Sequence, residues 1–272
     1  MKALIRTIPL CLIAACGLVG EGGMSQPWLD PSGHQLLGTD EFGRNILAVL
    51  LTAAGRSLVF GMVLAFTVSG LALLIAYVLA FRLSRVARSA AMATTQIVES
   101  VPVVIWVLAA FAATSADSKA VVGTIFTIAI LPFAISIMTG EMMRLRGRPY
   151  VEAARLGGTH GIRLLRWHLL PNALEVLMPL IIQIAGLAIM IEGAIGFLGF
   201  TNRTDTDLGV LLLRGRENVT THPVLLISTL AVFAAIFASL FVALGGTQRL
   251  LVGGAASLEA RRPERVHPRR DG

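Results

Sequence analysis

Apolar runs recur along this chain at a length that only one environment accommodates. Residues 57–81, 120–140, 174–200 and 223–246 are nearly continuous apolar stretches, 89–114 is a fifth with Glu99 and Pro102 inside it, and 3–20 is a shorter sixth carrying Arg6 and Pro9. A helix of about 20 apolar residues crosses the hydrocarbon of a bilayer. Hydrophobic residues make up 55% of the 272 and charged residues only 14%, with a mean hydropathy of +0.77. Soluble domains carry about 25% charged residues. The sequence therefore predicts an all-α polytopic membrane protein with about six transmembrane helices. The run 3–20 reads as a first span whose Arg6 reaches back to the cytoplasmic side. Ile13-Ala14-Ala15-Cys16 also fits a lipoprotein cleavage box, which leaves a cleaved or lipidated leader open.

The charge pattern orients the chain. A net charge of +7 could suggest nucleic acid, but the basic residues sit in short segments between the apolar runs and at the C-terminus. With the N-terminus inside, 17 of the 23 Lys and Arg fall on the cytoplasmic side. The positive-inside rule accounts for that bias, so both termini and the segment 141–172 are expected in the cytoplasm. No nucleic-acid partner is implied; membrane lipid is. The two cysteines, Cys11 and Cys16, share one apolar segment, and the five histidines are scattered, so neither a disulfide framework nor a metal site is expected.

Between the spans, Tyr150–Asn172 is polar and basic, and its residues predict two short helices joined by a glycine hinge. Pro149 suits a first helical turn, and Glu152 lies near the positive end of that helix. Ala153 and Ala154 favour helix and project little, so another backbone could approach. Gly157-Gly158 is a helix stop. Thr159 can cap a second helix, on which Ile162, Leu165 and Leu169 share a face and which Pro171 limits, although proline bends some membrane helices instead of ending them. By these residues alone, the segment also fits an ordinary amphipathic hairpin.

Glu152-Ala153-Ala154, then Gly158 after three residues, then His168-Leu169-Leu170-Pro171 after nine, resemble the cytoplasmic loop signature of ABC-importer permeases. His168 stands where the general pattern has isoleucine. Leu37-Gly38-Thr39-Asp40-Glu41-Phe42-Gly43-Arg44-Asn45 resembles the L-G-T-D-x-x-G-R-D segment before the second span in one subunit type (the second permease subunit, C type) of the dipeptide, oligopeptide and nickel importer family. Asp40 and Glu41 followed by Ile46, Leu47, Val49, Leu50 and Leu51 predict an interfacial helix feeding that span; the plainer reading is a surface loop with a helix cap. Glu192 to Gly199 resembles the E-A-x-x-x-F-L-G end of the family's fifth span. Leu208-Gly209-Val210, Arg216-Glu217 and His222-Pro223 resemble its outer loop. The likeness covers residues 37–250. It breaks at Gly245-Gly246-Thr247-Gln248-Arg249, where family members carry an acidic segment.

The resemblance implies a type I importer fold organised as a first span and extracytoplasmic segment (1–55), a permease core with its coupling loop 141–172 (56–250), and a basic tail (251–272). It implies a bacterial inner-membrane subunit working with a second permease subunit, two ATPase subunits and an extracytoplasmic solute-binding protein. Glu152, Ala153, Ala154, Gly158, Leu170 and Pro171 would be the ATPase-coupling residues. The sequence has no G-x-x-x-x-G-K-[ST] loop and no motif pairing a nucleophile with a base, so catalytic residues are not expected, and ATP and Mg²⁺ would be used by the partner ATPases. Glu99 and Glu192 lie in or near apolar runs, where a carboxylate faces a cavity or a partner. Glu192 reads equally as pathway lining or as a helix-end or inter-subunit hydrogen bond, and Glu99 more simply as such a bond. Gly186, Gly193, Gly196 and Gly199 are expected to permit close helix packing. Peptide, nickel and metal-chelate importers share these motifs. A stand-alone carrier or channel driven by an ion gradient is the alternative, although a carrier would call for more buried ionisable groups.

Overall fold

In a computed structural model, which describes residues 25–33, 35–114, 119–201 and 206–259, the chain is built of helices. The run 3–20, with Cys11 and Cys16, and residues 115–118 lie outside the described residues. Helix α1 spans Ile46–Phe81, α2 Arg85–Glu99, α3 Val103–Thr114, α4 Lys119–Arg146 and α5 Pro149–Leu156. A short α6, Gly161–Leu164, passes through a π-helical turn, Leu165–Leu169, into α7, Leu170–Phe197. Helices α8, Leu208–Glu217, and α9, Pro223–Glu259, complete the described residues.

Helix α1 is the axis of the molecule and packs chiefly on α4 and α7. Its buried stripe, Ala65, Val68, Ala72, Ala76 and Ala80, has no exposed surface at all. Small residues every three or four positions let helix backbones approach where lipid removes the usual hydrophobic drive. Phe126, Ala134, Met138 and Met142 of α4 and Ile184, Ala185 and Ala188 of α7 fill the other side of this core. A second cluster joins the start of α1 to α8 and α9 through Leu50, Ala54, Leu208, Leu211 and Ile236. At the crossing of α7 and α8 the backbones nearly touch: a Cβ on Gly196 would lie 2.9 Å from Gly209 Cα, and one on Gly209 2.4 Å from the Gly193 carbonyl. Gly193 and Gly196 thus serve close packing as expected. Gly199 instead ends its helix in the left-handed region, at φ +81°, and Gly186 has ordinary room around it.

Three expectations about the helices change. Among the described residues four helices are long and apolar enough to cross a membrane, and the run 89–114, expected as one span, is two helices bent by 70°. Pro102 lacks an N–H and restricts Val101, so the helix breaks at Ser100–Pro102. Counting that bent pair gives five spans among the described residues. Among the described residues no separate interfacial helix precedes residue 55: α1 begins at Ile46, where the Asn45 side chain accepts from the Leu47 N–H (3.0 Å), and continues unbroken to Phe81. The last helix likewise passes its expected end at 246 and reaches Glu259.

Candidate functional site

The loop between α4 and α7 is a short helix clamped at both ends. Helix α5 starts with Pro149 in its first turn, and Glu152 lies in that turn as the sequence predicts. Val151 is fully buried and Ala154 packs against the core, so one face of the helix is fixed to the spans. Glu152, Ala153 and Leu156 occupy the other face, and Leu156 is 84% exposed. The helix closes with two backbone bonds, Gly158 N–H to the Arg155 carbonyl (3.0 Å) and Thr159 N–H to the Ala154 carbonyl (2.9 Å). This is the Schellman arrangement, and it places Gly158 at φ +81°, where a Cβ is disfavoured. A Cβ there would meet nothing within 4 Å, so the penalty at Gly158 is one of backbone conformation alone.

The second half of the loop differs from its sequence reading. The cap position is His160, with no side-chain bond, and Thr159 contributes its N–H to the end of α5 instead. Pro171 does not limit a separate helix, because the chain is helical from Gly161 to Phe197. Pro171 cannot donate to the carbonyl one turn back. The π turn, in which Leu170 N–H donates to the Leu165 carbonyl, absorbs an extra residue just before that gap. The widened turn buries Leu164, Leu165 and Leu169 and leaves Ile162 71% exposed, so Ile162 is not on the buried face. Leu170 is half-buried and Pro171 exposed. The Tyr77 hydroxyl donates to the Gly161 carbonyl (3.2 Å), tying the loop to the end of α1.

A bidentate pair braces the loop's entry, with Arg144 Nε 2.7 Å from Glu141 Oε2 and the Arg144 terminal nitrogen 2.6 Å from Oε1. Sequence reasoning passed over Glu141, although its i, i+3 spacing to Arg144 was a legible signal. Burial pushes the Tyr150 phenol above its ordinary value against the pull of Arg148 and Arg144.

Glu99 and Glu192, the two carboxylates singled out in the sequence, lie on different helices, α2 and α7. Glu192 is 6% exposed on α7, next to the glycine crossing with α8. Glu99 is exposed at the end of α2 and accepts a hydrogen bond from the Ser136 hydroxyl of α4. It therefore stands at the 70° break, where its bond to α4 helps hold the bent pair.

Residues 71–252, more than half of the chain, match the family of binding-protein-dependent transport system inner membrane components. The chain belongs to that family. Among similar proteins, one named as a probable D,D-dipeptide transport system permease of Escherichia coli is 28% identical over 70% of this chain and 64% of its own length. The di/tripeptide transport system permease DppC of Pseudomonas aeruginosa is 31% identical over 68% of this chain and 60% of its own. The oligopeptide transport system permease OppC of Salmonella typhimurium is 32% identical over 72% and 64%. The chain thus spans less than two thirds of the length of these relatives.

This inner membrane component also has a built region that sequence reading took for a surface loop or interfacial helix. Asp40 is 1% exposed, and its Oδ1 accepts from the N–H groups of Phe42 (3.0 Å) and Arg44 (2.9 Å) while Oδ2 accepts from Arg44 Nε (2.9 Å). Thr39 bridges Gln26 and Leu29. Gly38 and Gly43 have positive φ, and a Cβ on either would lie within 2.1 Å of the carbonyl of Leu29 or Ser25. The guanidiniums of Arg44 (5.0 Å) and Arg214 (4.8 Å) both lie over the Phe42 ring, and Glu41 reaches Arg214 at 3.3 Å. The segment is therefore a cap locked onto α8. Arg214, only 2% exposed on α8, was not singled out in the sequence because nothing local marks it as the cap's anchor.

Proposed function

We propose that this chain is a permease subunit of an ATP-driven importer, forming half of a translocation pathway with a second permease subunit. In this reading two ATPase subunits dock on the loop Glu152–Pro171, and their closure on ATP and Mg²⁺ moves α5 and, through it, the spans. A solute-binding protein delivers the cargo to the extracytoplasmic side, where the cap of residues 25–45 lies. The observation that carries the reading is the construction of the loop. Helix α5 is fixed by Val151 and Ala154, closed by Gly158, and turns Glu152, Ala153 and Leu156 outward. A short rigid helix with small and charged outward residues can transmit a push; a flexible loop cannot.

Peptides are the favoured cargo, since the relatives named above are dipeptide, di/tripeptide and oligopeptide permeases. Nickel and metal chelates belong to the same class of importer and to the same test. The chain itself is read as binding no cofactor and catalysing no reaction. The test is reconstitution of the chain with its permease, ATPase and binding-protein partners in vesicles. Uptake of a radiolabelled dipeptide is expected only with ATP and the binding protein, and the isolated chain should hydrolyse no ATP above background. Uptake by the chain alone under an ion gradient would establish the carrier reading instead.

The same proposal sets the orientation. A cysteine introduced at Thr159 should react with a membrane-impermeant maleimide only from the cytoplasmic side, and one at Thr221 only from outside. The reverse pattern would overturn the topology.

A further inference from the structure

A cavity of about 470 Å³ opens between the α1–α2 turn and the end of α4, lined by Leu83, Ser84, Arg85, Arg88, Met143 and Arg146, with Gly147 at its edge. Three arginines line it and, among the described residues, no carboxylate does. The nearby Arg144 is neutralised by Glu141, whereas among the described residues Arg85 and Arg88 form no ion pair. Arg146 is held in place by a bond to the Ala80 carbonyl and lies 5.8 Å from the centre of the Phe81 ring. Like charges gathered around one space repel one another unless an anion joins them. Leu83 and Met143 give the same cavity an apolar component. It also sits where the two membrane-spanning helices Ile46–Phe81 and Gly123–Arg146 both end, the depth of lipid headgroups.

We propose that this cavity is a binding site for the phosphodiester headgroup of an anionic phospholipid. Arg85, Arg88 and Arg146 take the phosphate, and the glycerol and upper acyl carbons lie against Leu83 and Met143. Arginine suits the role, because its planar fork matches phosphate oxygens bidentately. Basic pockets between spans on the cytoplasmic face hold anionic headgroups for the same electrostatic reason. The site concerns this chain and lipid only, and it stands whether or not the transport reading does.

The experiment uses the full chain in neutral phosphatidylcholine nanodiscs, with phosphatidylglycerol bearing a photoreactive acyl chain added in trace amount. Crosslinks are expected on Leu83 and Met143, to be displaced by unlabelled phosphatidylglycerol but not by millimolar inorganic phosphate. Retention of phosphatidylglycerol by native mass spectrometry should fall about 25-fold in the double variant Arg85→Gln, Arg88→Gln, at about fivefold per near-surface arginine. Arg85→Lys with Arg88→Lys should keep most of it, and the charge-matched Arg56→Gln with Arg216→Gln should keep all of it. Displacement by inorganic phosphate would make the ligand a soluble anion and overturn the lipid assignment. Crosslinks elsewhere, or equal loss in the charge-matched control, would overturn the site. The crosslinking arm needs no variant, so a misfolded double mutant leaves the proposal open to refutation.

Discussion

A Gly158→Arg chain is expected to reach the membrane in normal amount and to support almost no ATP-driven uptake. Gly158 sits at φ +81° in the closure of α5, where an L-residue costs roughly 1–2 kcal/mol. Nothing lies within 4 Å of the position a Cβ would take, so the new side chain clashes with no part of its own chain. It projects instead from the exposed side of the loop, the side on which the proposed reading seats an ATPase subunit. Glu152→Lys should act on the same surface, reversing a charge in the first turn of α5, where the helix dipole favours a carboxylate. Co-purification of the ATPase should fall about tenfold or more for either variant, the loss produced by about 1.4 kcal/mol at an interface. Gly158→Ala, which adds the conformational penalty without the bulk, should fall between parent and Gly158→Arg. If Gly158→Arg and Glu152→Lys both hold the ATPase and transport like the parent, α5 is not the coupling element.

Asp40→Ala should destabilise the opposite end of the molecule by about 3–5 kcal/mol, the usual cost of removing one partner from a buried charge pair. Asp40 and Arg44 are 1% and 8% exposed, and the lost carboxylate also leaves the N–H groups of Phe42 and Arg44 without their acceptor. Phe42 contacts the guanidiniums of both Arg44 and Arg214, so loosening Arg44 should release the cap from α8. The readouts are a lower midpoint of thermal unfolding in detergent and new protease cuts between residues 25 and 45. Asp30→Ala, at an exposed carboxylate in the same segment, should stay within about 0.5 kcal/mol of the parent. A stable, protease-resistant Asp40→Ala chain would show that the cap is held by something other than this pair.

The sequence by itself determined the class of the molecule and the local form of its loop. Apolar runs of bilayer length can satisfy their backbones in lipid as helices, and four of those runs are long apolar helices here. Pro149, Glu152 and Gly158 took the positions their side chains and backbone preferences dictate, since a helix start and a glycine stop are decided within one or two turns. Other features answer to forces that no short window contains. Pro102 could have ended, kinked or merely bent its run; the break at 70°, with Glu99 bonded to Ser136, depends on where α4 lies. Pro171 looked like a stop, but a π turn carries the helix past it, because Leu164, Leu165 and Leu169 gain a common buried face. The motif at residues 37–45 was visible as a string, while its meaning as a locked cap needed Arg214 from more than 160 positions further along the chain. Burial of a charge is a property of everything packed around it, and only the tertiary structure brings those neighbours together.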